Sequence, residues 1–172
     1  MITKLIRLIM FVIALLSFVG IKAQTFSQCV NEAEMRIKKL KRVEELIASS
    51  IQNDEMIEAN ANMTLNPQKY IDLVLVRYLR NMHKVQLAIV ESATQSANDF
   101  CKFIGKNTID QRIVSQGIAK YTDIASFSYK WSQELEEQFL DKFSKYLYEY
   151  GDDCERIFRE DDLELLHKYG VN

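Results

Sequence analysis

Cysteine, histidine and clustered carboxylates are the residues of this 172-residue chain whose chemistry could go beyond packing. The cysteines stand at Cys29, Cys101 and Cys154. Cys29 lies 34 residues before Met63 and Cys101 lies 38 after it. A helical hairpin turning near Met63 carries both to the same end, so the spacing predicts a Cys29–Cys101 disulfide. Its loop of ~70 residues would stabilise the fold by about 4 kcal/mol in the chain-entropy account. The plainer alternative is three thiols packed as small hydrophobes. Cys154 is then free, paired to another chain, or brought back by a break in the helix before it.

The two histidines are His83 and His167. Glu164-Leu-Leu-His167 has the Glu-x-x-His spacing of di-iron four-helix bundles, which need a second such unit and two more inward glutamates. Arg80 stands three residues before His83, so the second unit is missing and no metal site is expected. His167 reads instead as a helix-end residue near the negative pole of the dipole. There is no Cys-x-x-Cys, His-Glu-x-x-His, Gly-rich phosphate loop or Gly-x-Ser-x-Gly. Two histidines also leave little to activate a serine or cysteine. The expectation is no enzyme, no catalytic residue and no cofactor.

The carboxylates carry the one regional signal. Between Glu134 and Glu164 stand 12 of the 24 acids against four bases, a net charge of −8. Tyr146, Tyr148 and Tyr150 alternate within that region, and residues two apart do not share a helix face. One tyrosine must therefore turn outward among acids, and tyrosine is enriched at interfaces. Tyr148, Glu134, Glu137 and Asp141 form the candidate partner surface. The competing reading is an aromatic core with a solvated acidic rim. Opposite charge gathers at Lys38, Lys39, Lys41 and Arg42. Asn62-Met-Thr64 is a glycosylation sequon, meaningful only on a eukaryotic secretory route.

The elements that position these groups follow from composition and periodicity. Five glycines and one proline cannot punctuate an all-β domain, and they exclude collagen-like chains. Three cysteines are too few for a disulfide-dense mini-protein. Residues 1–23 have Lys4 and Arg7, an apolar run from Leu8 to Val19 broken only by Ser17, then Gly20 and Ala23. That is the layout of a secretory signal, shorter than the ~20 apolar residues of a membrane span. Cleavage after Ala23 leaves 149 residues, and loss of Lys4, Arg7 and Lys22 leaves 19 bases against 24 acids, a net charge of −5. The expected location is secreted or periplasmic, without stable membrane insertion. An acidic chain offers no electrostatic footprint for nucleic acid.

Residues 24–172 read as one helical domain. A Thr25–Gln28 capping box opens the first long helix. Its apolar positions are Phe26, Val30, Ala33, Ile37, Leu40, Ile47 and Ile51, with Glu44 in the gap and Val43 and Leu46 beside it. The pattern fades after Ile57, and Asn60–Pro67 is a turn in which Asn66 caps the next helix with Pro67 at its first position. The second helix runs to about Ile104 through Ile71, Leu75, Tyr78, Met82, Val85, Ile89, Ala93, Ala97 and Phe100, and Gly105 ends it. Thr108–Gln111 reads as another capping box. The third helix then reaches Tyr150, with Gly117 and the stretch Ser126–Lys130 as weak points where a kink or break is expected. Gly151 closes it. A short helix follows from Asp152 through Ile157, Phe158, Leu163, Leu166 and Tyr169. Seams spaced about 3.5 residues apart suit coiled-coil-like packing. The fold class is all-α, an elongated antiparallel bundle of three long helices plus a short C-terminal helix.

The function expected from these features is that of an exported, non-enzymatic helical protein that engages a protein partner or assembly through a helical surface, with the acidic aromatic C-terminal third as the candidate. The alternative is a secreted carrier of an apolar small molecule held in the bundle, with Met63 and Met82 among its lining. The layout also resembles the secreted helical accessory subunits of conjugation and type IV secretion machines, in its export signal and long helices.

Overall fold

The computed structural model describes residues 25–151. The expected signal at 1–23, Cys154, the helix opening at Asp152 and the Glu164–His167 unit lie outside the described residues. The described chain is all-helical, and its four helices are α1 (Phe26–Ile51), α2 (Asp54–Asn62), α3 (Pro67–Cys101) and α4 (Gln111–Tyr150). They pack as a bundle around α3, which touches each of the others.

Local chemistry sets most of the boundaries. The Thr25 hydroxyl accepts from the Gln28 amide at 3.2 Å, and the Gln28 side chain accepts from the Thr25 amide at 2.9 Å. This satisfies two of the amides a helix start leaves unpaired. Asn66 caps α3 by accepting from the Lys69 amide, with Pro67 in the first turn. Gly105 and Gly151 both adopt positive φ, the backbone region that glycine enters without penalty. The Gly151 amide closes α4 on the Leu147 carbonyl.

Three boundaries differ from the sequence reading. The first long helix does not continue to Ile57: it ends at Ile51, and α2 restarts at Asp54 with Asp54 and Glu55 in its first turn. Acids at that position suit the positive end of a helix. The cap of α4 is Asp110, whose carboxylate accepts from the Arg112 amide, and not Thr108. Gln111 instead folds back on the preceding loop, accepting from Gly105 N and donating to the carbonyls of Phe103, Lys106 and Ile109. Finally, α4 runs unbroken through Ser126–Lys130. Ser128 and Ser132 lie in its buried seam, and the Ser132 hydroxyl donates to the Tyr129 carbonyl at 2.7 Å. That bond stays within the helix, so a small polar residue serves the seam without interrupting it.

The core has two parts. The main cluster takes Cys29, Ala33, Ile37, Leu40, Val43 and Ile47 from α1. From α3 it takes Leu79, Met82, Val85, Ile89, Ala93 and Phe100, and from α4 Val114, Tyr121 and Leu135. Val43, not Glu44, fills the seam position between Leu40 and Ile47. Ile104, assigned by its spacing to the α3 seam, lies beyond the helix end and is exposed. A second cluster joins α3 to the last turns of α4 through Val76 and Tyr146, with Leu73, Phe139, Phe143, Leu147 and Tyr150 packed against them.

Contacts at the ends fix which parts of the helices face one another. Phe26 rings meet Phe100 and Phe103, with centroids 5.3 Å apart in both cases. Arg36 reaches Asp99 at 3.4 Å. Phe100 meets the Tyr121 ring edge-on at 5.4 Å. At the other extreme of α4, the Tyr150 hydroxyl donates to Asp72 at 3.1 Å. Gly117 sits in α4 directly beneath Phe100, where a Cβ would overlap that ring.

Candidate functional site

A helix turns about 100° per residue, so Tyr146 and Tyr150 share a face and Tyr148 points the other way. The structure follows this arithmetic. Tyr146 is buried, its ring 4.9 Å from that of Tyr150, while Tyr148 is 93% exposed. Asp72 and Lys69 of α3 hold the Tyr150 ring from below, by a hydrogen bond and by an ammonium 5.7 Å from its centroid. Burial, and then the hydrogen bond to Asp72, push the Tyr150 hydroxyl up to about 12. The last two turns of α4 are thus pinned on their inner face.

Their outer face carries the four residues of the candidate surface. Glu134, Glu137, Asp141 and Tyr148 are all exposed, at spacings of three, four and seven that keep them on one side of α4. Lys145 donates to Asp141 at 2.9 Å and holds that carboxyl below the usual range. Leu140, Asp141, Ser144, Lys145, Tyr148 and Glu149 border a shallow depression of about 500 Å³. Leu140 is exposed beside the acids, a feature the sequence reading assigned to no surface. The carboxylates of Glu134, Glu137 and Asp141 open to water.

A second feature lies higher on the bundle, between α1 and α4. Ile37, Tyr121 and Ile124 form the apolar part of a groove of about 790 Å³, and Lys38, Lys41, Arg42 and Lys120 stand around it with Glu34 and Glu45. Arg42 pairs with Glu45 at 3.0 Å and Lys120 with Glu34 at 3.6 Å. The basic cluster on α1 was visible in the sequence. Lys120 was not, because its place beside that cluster depends on how α4 sits.

The two described cysteines, Cys29 and Cys101, stand at one end of the bundle but are unpaired, where the sequence spacing predicts a disulfide. Cys29 is buried and Cys101 exposed, both as free thiols. Cys101 follows Phe100, which faces the core, so its side chain leaves the helix about 100° away from the buried seam. Burial, followed by the charge of Asp99, pushes the Cys29 thiol up and keeps it protonated. Burial raises Asp99 as well, but hydrogen bonds from Lys102 and Arg36 outweigh it and hold the carboxyl below its usual range.

Of the residues proposed to line an interior site, Met82 is packed in the core and Met63 is exposed at the bundle tip. A third groove, of about 370 Å³, lies where α1 ends and α3 begins, bordered by Leu46, Ile47, Ile57, Tyr70, Val74 and Tyr78 among others. Among the described residues no three His, Cys, Asp or Glu side chains converge as a metal would require. No described helix is long and apolar enough to cross a membrane. The chain matches no family model, no curated protein and no solved structure.

Proposed function

We propose that this is an exported, non-enzymatic protein whose work is to hold a protein partner on the outer face of α4. In this reading residues 1–23 are an export signal, residues 24–172 are the working domain, and the location is secreted or periplasmic. The domain is an elongated antiparallel bundle of three long helices completed by a short C-terminal one. The contacts of Phe26 with Phe100 and of Tyr150 with Asp72 support the antiparallel arrangement.

The observation that carries the proposal is Tyr148. A large aromatic residue, 93% exposed, stands in line with Glu134, Glu137 and Asp141 on a helix whose opposite face is anchored to α3. An exposed tyrosine on a rigid support loses little side-chain entropy on binding and brings much contact area. The surrounding acids select a partner with a basic surface. Service as an accessory subunit of a secretion or conjugation machine is a narrower form of the same proposal.

The test is substitution of Tyr148 by Ala and, separately, of Glu137 by Lys. Both variants should keep the wild-type melting temperature while capture of the partner from the native cell envelope falls at least about tenfold, the ~1.4 kcal/mol or more expected of an interface anchor. A drop in melting temperature with capture unchanged would place Tyr148 in the fold and remove the proposal.

A further inference from the structure

The groove and the acidic stripe lie along one side of α4, and the residues between them connect the two. Lys120, Ile124, Phe127, Trp131, Glu134 and Asp141 recur at spacings of 4, 3, 4, 3 and 7, the repeat of a helix seam. This seam is not the one that packs on α3, which runs through Val114, Tyr121, Ser128 and Leu135. It leaves Phe127 70% exposed, its ring 6.3 Å from that of Trp131. Ile124 and Trp131 of this second seam are half-buried against the main core, while Phe127 between them stands open to a neighbour that the described residues do not supply.

The charges identify that neighbour. Above Phe127 the seam is basic, with Lys120 beside Lys38, Lys41 and Arg42. Below Trp131 it is acidic, with Glu134, Glu137 and Asp141. Lys38 and Lys41 have no ion pair among the described residues, and neither do Glu134 and Glu137. Both unpaired sets are spaced three residues apart, so two helices crossing there can satisfy both at once. The two ends cannot meet within one chain, because Lys120 and Glu134 lie ~21 Å apart along the same rigid helix. They can meet between two copies. The midpoint between Lys120 and Asp141 falls at Lys130–Trp131, so a two-fold axis there sets Lys120 of each copy against Asp141 of the other.

We infer that two copies of this chain associate about that axis, each laying the acidic stretch of its α4 into the basic groove of the other, with Phe127 and Trp131 of both at the centre. The contact is isologous and closed, so it yields dimers and not filaments. The inference rests on the reading of the acidic face as an interface and names a second copy as its occupant. Tyr148, at the outer end of the stretch, then lies opposite Ile113 of the other copy, about 10 Å beyond the Lys120 that borders the groove.

Sedimentation velocity of the purified protein tests this. The wild type should be dimeric at low ionic strength and should dissociate about tenfold more readily at high salt, since four exposed-edge charge pairs are screened. The double variant Lys38→Glu/Lys41→Glu should be monomeric, and so should Glu134→Lys/Glu137→Lys. An equimolar mixture of the two should regain the dimer, because both ends become complementary again. Phe127→Ser should be monomeric with unchanged helix content. A wild-type monomer at low salt would overturn the inference while leaving capture of another protein through Tyr148 intact. A dimer that survives either charge reversal, or a mixture that stays monomeric, would overturn the two-fold arrangement.

Discussion

Replacing Gly117 by alanine sets two opposed effects against each other at one site. In an exposed helix the change favours folding by about 0.8–1.0 kcal/mol, because glycine has more backbone freedom to lose. Here the new methyl would overlap the Phe100 ring. The ring has nowhere to go: it is fully buried, 5.3 Å from Phe26 and 5.4 Å from Tyr121, and Phe26 is itself backed by Phe103. Forcing a methyl into such a site costs about 1–3 kcal/mol, more where several rings must move together. The clash wins, and the net loss should be about 1–2 kcal/mol, or roughly 2–8 °C in Tm for a chain of this size. Thermal and urea unfolding followed by circular dichroism measure it. Repeating the substitution in a Phe100→Leu background isolates the cause: with the ring gone, Gly117→Ala should become neutral or stabilising by up to about 1 kcal/mol. A rise in Tm from Gly117→Ala alone would refute the close approach of α3 and α4 at this level.

Other substitutions probe the rest of the account. Gln86 is 1% exposed and its amide nitrogen finds no hydrogen-bond partner among the described residues; Gln86→Met, similar in volume, should raise stability by about 1 kcal/mol in urea titration. Asp99, only 13% exposed, has a depressed pKa, so its stabilisation is present above the ordinary carboxylate value and lost as pH falls through the lower folded value. Asp99→Asn should therefore cost about 1 kcal/mol at neutral pH and flatten the acid limb of the stability profile below pH ~4. Tyr150 is displaced the other way: the fold keeps its proton while the unfolded chain loses it, so stability is full below pH ~10 and falls as pH rises toward about 12. Tyr150→Phe should abolish that alkaline fall, read by melting temperature against pH. In a Cys154→Ser background, native protein should take up one maleimide, at Cys101, and a second at Cys29 only on unfolding; no native labelling at all would mean that the Cys29–Cys101 bridge forms in solution.

The parts of the fold that local chemistry decides were readable from the chain. Thr25 with Gln28, Asn66 with Pro67, and the glycines at 105 and 151 each act within four residues, so their partners are visible in the sequence. The seam of α1 was also plain, apart from the exchange of Glu44 for Val43. What escaped depends on neighbours distant in sequence. Ser96, Ser128 and Ser132 are buried where small side chains suit a close helix contact, and the hydroxyls of Ser96 and Ser132 bond to their own helix; a search for apolar repeats passes over them. Gly117 looked like a weakness of α4 until Phe100 was placed above it. Thr108 resembled a cap because Gln111 followed at the right spacing, yet Gln111 bonds to the loop and Asp110 caps instead. At the candidate site, the outward turn of Tyr148 followed from its spacing to Tyr146 and Tyr150. The place of Lys120 beside the α1 cations, where it pairs with Glu34, required knowing how α4 sits relative to α1.

In the function proposed, the outer face of α4 between Glu134 and Tyr148 is a binding surface. The most direct measurement places a photoreactive residue at position 148 and, in a second protein, at position 129, which is also exposed but lies on another side of α4. After irradiation in the native cell envelope, the account predicts a discrete protein adduct from position 148 and none from 129, the adduct mass telling a second copy from a different partner. Adducts of equal yield from both positions, or from 129 alone, would contradict it.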